Sequence, residues 1–151
     1  MGLFRFRLEN VLKHRLTERD RCREQLAEGY QALSLVEQEK ERLEQDRSKL
    51  YELAAEAAGV GTVDIEKLLE FRRYEVLLKA QEEHWEKTLQ AVQQEIDKRR
   101  EALIEADRAV KALEKLHDRH YERYLRECAQ IENRQMDEVA QVRWQRNRVT
   151  G

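Results

Sequence analysis

Between Trp85 and Leu113 the chain repeats every seven residues. At alternating steps of four and three it reads Trp85, Leu89, Val92, Ile96, Arg99, Leu103, Ala106, Val110 and Leu113, eight of the nine apolar, with mainly Glu, Lys, Gln, Asp and Arg between them. A repeat of 3.5 residues per turn holds one narrow apolar seam toward a partner helix. The stretch therefore predicts a long coiled-coil helix, and function is to be sought on a rod and not in a pocket.

A second, weaker seam precedes it. From Leu12 the same stepping gives Arg15, Arg19, Cys22, Leu26, Gly29, Leu33, Val36, Lys40, Leu43, Arg47, Leu50, Ala54 and Ala57. Four basic residues interrupt it, but long side chains lay their methylenes along a seam and keep the charge at its edge. Phe4, Leu8, Val11 and Leu12 also fall at helical spacing, which predicts a helix starting near residue 4. Gly29 costs about 1 kcal/mol of helix propensity relative to Ala. Accommodation of a large residue opposite, Trp85 or Leu89, accounts for it better than a bend does.

The main punctuation is the stretch from Ala57 to Asp64, with Gly59 and Gly61. Gly59 suits a left-handed helix end, and Thr62 can cap the next helix, with Asp64 and Glu66 in its first turn. Two long helices joined by so short a loop become antiparallel neighbours. The prediction is an all-α chain, one antiparallel coiled-coil hairpin over 1–151, with a helix at about 4–57, a turn at 58–62, a helix at 63–143 and a tail at 144–151. At 1.5 Å per residue the arms would span roughly 80 and 120 Å. With the turn near residue 60, residue i faces about 120 − i, so the first arm ends near Leu116 and everything from His117 onward overhangs. That overhang carries Tyr121, Tyr124, Leu125, Ile131, Met136, Val139 and Trp144, an apolar stripe that asks for a partner.

Composition agrees with a helical rod: 40% of the residues are charged, 40% are hydrophobic, and there is no Pro. A two-helix rod buries only its seam, so it has no interior to enclose a substrate, and an enzyme is not expected. The formal charge is only −2, but it is unevenly spread. Residues 1–25 hold seven Lys/Arg against four Asp/Glu, residues 52–70 hold one against five, and residues 140–151 hold Arg143, Arg146 and Arg148 with no acid. Basic residues interleaved with acids read as a solvated face and not as a nucleic-acid surface. The absence of an apolar run of about 18 residues and of a signal-peptide core predicts a cytoplasmic protein with no transmembrane segment. Phe6 stands where a myristoylation signal needs Ser or Thr, so the start Met1-Gly2 is not read as one.

Little here suggests chemistry. Glu114 and His117 make one Glu-x-x-His spacing, with His120 on the same face, but a di-iron bundle needs a second copy and two further Glu. No metal site or cofactor is expected. Cys22 and Cys128 would lie on the order of 45 Å apart on the hairpin, which leaves them free thiols. Phosphate-binding glycine loops and zinc-protease motifs are missing. Phe71, Leu78 and Trp85 lie on the seam, with Tyr74 and Gln81 beside it. These five form either a broadened seam or a docking strip for a protein partner.

Several ordered segments resemble a known family. The opening from Phe4 to Leu12, Asp64-Ile65 with Phe71-Arg72-Arg73-Tyr74 after the turn, Leu113 to Leu116, and Met136 to Ala140 together resemble FliJ, the flagellar export protein, over essentially the whole chain. That resemblance implies an antiparallel two-helix coiled coil similar in shape to the stalk of rotary ATPases. It would act at the cytoplasmic side of the cell membrane, within the type III export apparatus. The implied partners are the FliI-like ATPase hexamer, its FliH-like regulator, the FlhA-like membrane gate, and export chaperones. The end bearing both termini would enter the ATPase ring, which would involve Phe4, Arg7, Tyr121, Tyr124, Ile131, Met136 and Val139. The strip Phe71, Tyr74, Leu78, Gln81 and Trp85 would match the gate-contact surface, with Gln81 and Trp85 departing in residue type. The competing readings are a generic coiled-coil adaptor, a homo-oligomeric scaffold, and the related stalk of an injectisome.

Overall fold

The computed structural model describes residues 2–59 and 61–149. Met1 of the Met1-Gly2 start, Val60 of the expected turn, and Thr150 and Gly151 of the expected tail lie outside them. Two helices make up nearly all of the rest, α1 at Glu9–Gly59 and the longer α2 at Ile65–Val149, and they pack against each other as an all-α antiparallel hairpin. The chain divides into two compact units, Asp20–Ile104 with the turn, and Met1–Arg19 together with Glu105–Gly151.

In the turn-bearing unit the seam follows the heptad closely. The buried residues of α1 are Gly29, Val36, Leu43 and Leu50, each seven after the last. On α2 Leu78 and Ile96 are buried, and Phe71, Trp85, Leu89, Val92, Arg99 and Leu103 are half-buried. Leu43, Leu50 and Leu78 form one cluster, with Phe71 and Trp85 packed on it. The basic interruptions sit where their charge reaches the edge. Lys40 Nζ stands 2.6 Å from Glu86 Oε2, and Arg47 Nη1 stands 3.1 Å from Glu82 Oε1. The Arg99 guanidinium donates to the Gln25 carbonyl at 2.5 Å.

The register differs from the expected one. Lys40 faces Glu86 and Tyr51 faces Glu75, pairs whose numbers sum to about 126 and not 120. The reason is at the turn. α1 continues to Gly59 and α2 does not begin until Ile65, so the fold-back comes later in the chain. Gly59 is not left-handed: among the described residues no glycine has a positive φ. Nor is Thr62 the cap. Asp64 takes that place, its Oδ1 accepting the Glu66 N–H at 3.1 Å, because a carboxylate one residue before the helix satisfies an orphan donor and the helix dipole together. In the shifted register Gly29 faces Ile96 and Arg99, not Trp85 or Leu89.

The other unit departs from expectation at both ends. α1 starts at Glu9 and not near residue 4; the segment before it is non-helical and ends in a turn closed by Glu9 N–H on the Phe6 carbonyl at 3.2 Å. On a helix the rings of Phe4 and Phe6 would diverge by about 160°, whereas two residues apart on an extended chain they share a face. α2 runs to Val149, beyond the 143 expected, through what was read as a tail. Nothing in that stretch breaks a helix, and Arg146 and Arg148 in its last turn favour the C-terminal dipole.

Candidate partner-binding surfaces

At the N-terminus, Phe4 and Phe6 lay their rings on one face of α2. Phe6, 5% exposed, packs edge-on against His117 and His120 at 5.1 and 5.8 Å. Phe4 meets His117, Tyr121 and Tyr124 at 5.5, 5.2 and 5.5 Å. The Tyr124 hydroxyl donates to the Gly2 carbonyl at 2.8 Å. The neighbouring Cys128 thiol, and after it burial, pushes the Tyr124 phenol above its ordinary pKa. His117, singled out by its Glu-x-x-His spacing, and His120 on the same face are thus part of an aromatic cluster. Cys22 and Cys128 are both half-buried free thiols.

This strap corrects where the bare part of α2 begins. The stretch from His117 to Tyr124 is covered by the N-terminal segment, and half-burial continues to Cys128. From residue 129 to Val149 every residue is exposed. The seven residues expected to meet an ATPase ring therefore separate into two groups of three, with Arg7 apart from both. Phe4, Tyr121 and Tyr124 are engaged with one another, whereas Ile131, Met136 and Val139 lie on the bare helix, and Arg7 is exposed beside the strap. The bare helix ends in Val142, Trp144 and the three arginines, with Arg148 standing over the Trp144 ring at 4.1 Å.

The five residues expected to meet a gate also divide. Leu78 is 3% exposed and belongs to the core cluster, and Phe71 and Trp85 pack on that cluster. Tyr74, 45% exposed, and Gln81 face outward. Burial of the first three leaves Tyr74 and Gln81, with the edges of Phe71 and Trp85, as what a partner could touch.

One surface leaves almost no trace in the hydrophobic pattern. Beside the turn, α1 presents Ala54, Ala57 and Ala58 where α2 presents Leu68 and Phe71, and the small side chains leave a groove of about 480 Å³. Val63, Ile65, Leu68 and Leu69 near it are all more than half exposed. The only signal in the sequence was the adjacent pair Leu68-Leu69, one more apolar position than a narrow seam uses. No helix of the described residues is long and apolar enough to cross a membrane.

A family model described as Flagellar FliJ protein matches residues 4–149. The chain matches no curated protein and no solved structure.

Proposed function

Because the chain belongs to the FliJ family of flagellar export proteins, we propose that it is the stalk of the export apparatus, which couples the FliI-like ATPase hexamer to the FlhA-like membrane gate through protein contacts and without catalysis. The observation that carries this reading is the bare end of α2. From residue 129 to Val149 it is exposed on all sides and apolar at Ile131, Met136, Val139, Val142 and Trp144, and it ends basic. An isolated helix with an apolar stripe is stabilised when a partner covers it. Uniform positive charge at its end favours an acidic surround and speeds encounter with it. The pore of an ATPase ring would supply both, with the FliH-like regulator and export chaperones as further contacts of the same assembly. Tyr74 and Gln81, with the edges of Phe71 and Trp85, are the proposed gate contact. The whole chain would act as one hairpin domain, working at the cytoplasmic face of the membrane.

The test is a truncation after Cys128, which keeps the strap and its seat. Its binding to the purified ATPase hexamer, measured by fluorescence anisotropy, is expected to fall by more than about tenfold, the loss of two or three buried anchors, with circular dichroism of the remaining helix unchanged per residue. Undiminished binding by the truncated chain would overturn the assignment of the bare end to the ring.

A further inference from the structure

The segment ahead of α1 is built like a strand. Phe4 and Phe6 both turn their rings to α2, while Leu3, Arg5 and Arg7 are exposed, Leu3 at 97%. Inward and outward side chains that alternate singly mark an extended chain, in which the backbone groups of successive residues alternate between two edges. One edge is taken at both ends: the Gly2 carbonyl accepts from the Tyr124 hydroxyl, and the Phe6 carbonyl accepts from the Glu9 N–H. The other edge is open. The N–H and C=O groups of Leu3 and Arg5 make no hydrogen bond among the described residues. We propose that this open edge takes a strand from a partner protein, an extended acidic segment that lies beside residues 3–7 with its carboxylates against Arg5 and Arg7.

Backbone and charge together set the chemistry of that partner. A free row of backbone donors and acceptors recognises another extended backbone. A two-stranded ribbon needs one face packed on something else, and Phe4 and Phe6 already pack this one on α2. The same alternation puts both arginines on the outer face, and neither pairs with an acid among the described residues. The surroundings do not cancel their charge. Residues 2–19 carry Arg5, Arg7, Lys13, Arg15 and Arg19 against Glu9 and Glu18, and residues 113–128 of α2 carry four bases and four acids. The strap of a second copy is a poor occupant, because an antiparallel pairing would set Arg5 opposite arginine, and like charges directly across a ladder repel. The bare end of α2 assigned to the ATPase ring begins only at residue 129, so this edge is a separate contact.

The experiment uses the full chain and a fluorescein-labelled peptide of alternating Glu and Thr, with two twins. One carries Lys for Glu, and the other is N-methylated at each Glu, which removes the amides that would face the strap. Anisotropy is expected to show the Glu peptide binding at least about tenfold more tightly than either twin. In the chain, exchange of the Arg5 amide with water should slow about tenfold at a peptide concentration ten times the dissociation constant. The Phe4 amide, on the other edge, should not slow. Arg5→Glu combined with Arg7→Glu should reverse the preference between the Glu and Lys peptides. Both positions are exposed, and unchanged protection of the Glu9 amide shows that the strap is still seated in that variant. Equal binding of the Glu and Lys peptides, or of the N-methylated twin, would overturn the proposal. So would equal slowing at Phe4 and Arg5, no binding at millimolar peptide, or sedimentation of the chain as a dimer in which the Arg5 amide is already protected.

Discussion

Gly29 lies so close to Ile96 that a Cβ built on it would stand 3.1 Å from the Ile96 Cγ1. The heptad step that elsewhere places Val36, Leu43 and Leu50 in the seam here places a residue with no side chain, and Ile96 fills the space. Two effects oppose each other on substitution. Ala recovers about 1 kcal/mol of helix propensity, whereas crowding a buried neighbour costs about 1–3 kcal/mol. Gly29→Ala should therefore change stability by less than about 1 kcal/mol, because Ile96 need yield only a few tenths of an ångström. Gly29→Val adds two more methyl groups at the same contact and should destabilise by about 2 kcal/mol. Urea denaturation of the two variants checks the contrast. Equal stability of Gly29→Val and the parent would mean that the seam at Ile96 is not closed.

Leu78 and Tyr74 are separated by one helical turn and by almost all of their accessibility, 3% against 45%. Leu78→Ala removes a side chain from the Leu43–Leu50 cluster and should cost about 2–5 kcal/mol. Tyr74→Ala should stay within about 0.5 kcal/mol, as exposed positions do. A loss of gate binding in the Leu78 variant alone would then report on folding, and the same loss in the stable Tyr74 variant would report on contact. Thermal melts run beside the binding assay separate the two.

The Tyr51 hydroxyl donates to Glu75 Oε1 at 3.1 Å across the arms, and this bond is the first cause that holds the Glu75 carboxyl below its ordinary pKa, with Lys79 and Arg72 adding to it. A carboxylate whose pKa is lowered on folding contributes stability above its unfolded pKa and loses it as the pH falls through the folded value. The contribution is thus complete at neutral pH and disappears in acid, below the usual carboxylate range. Tyr51→Phe should move the Glu75 carboxyl back up toward that range and leave the remaining carboxylates in place. Carbon-detected NMR titration of the side-chain carboxyls measures it. An unmoved Glu75 would assign the shift to the cations instead.

Trp85 to Leu113 was legible because its apolar residues recur at every seam position but Arg99, and all nine positions of that seam are buried or half-buried. The register was not. Ala57 to Asp64 contains several residues able to end or begin a helix, and a cap chosen at Thr62 and not at Asp64 moves every pairing by several residues. The strap was hidden by ambiguity of period: Phe4, Leu8, Val11 and Leu12 fit a helix, while Phe4-Arg5-Phe6-Arg7 fits an extended chain. Contact with His117 and Tyr121 decided between them, and no local pattern contains that contact. The groove was invisible for a related reason. Ala54 and Ala57 read as ordinary seam residues, and the space they leave depends on what α2 places opposite.

The strap makes a prediction about where α2 can be cut. Phe6 is buried almost completely by His117 and His120, and Tyr124 holds the Gly2 carbonyl. Removing everything after Leu116 deletes every one of those partners. It should release residues 2–8 even though none of them is altered. Phe6→Ala in the full chain should have a similar local effect by a different route, at a cost near the low end of the roughly 3–5 kcal/mol of a core Phe→Ala, because the segment is short and peripheral. Arg5→Ala, whose side chain is exposed, should leave the strap in place. Hydrogen exchange gives the comparison: protection of the amide of Glu9, which bonds the Phe6 carbonyl, is expected to fall in the Leu116 truncation and in Phe6→Ala, and to persist in Arg5→Ala and in a truncation after Cys128. If the Leu116 truncation kept that protection, the aromatic face of α2 would not be what fixes the start of α1.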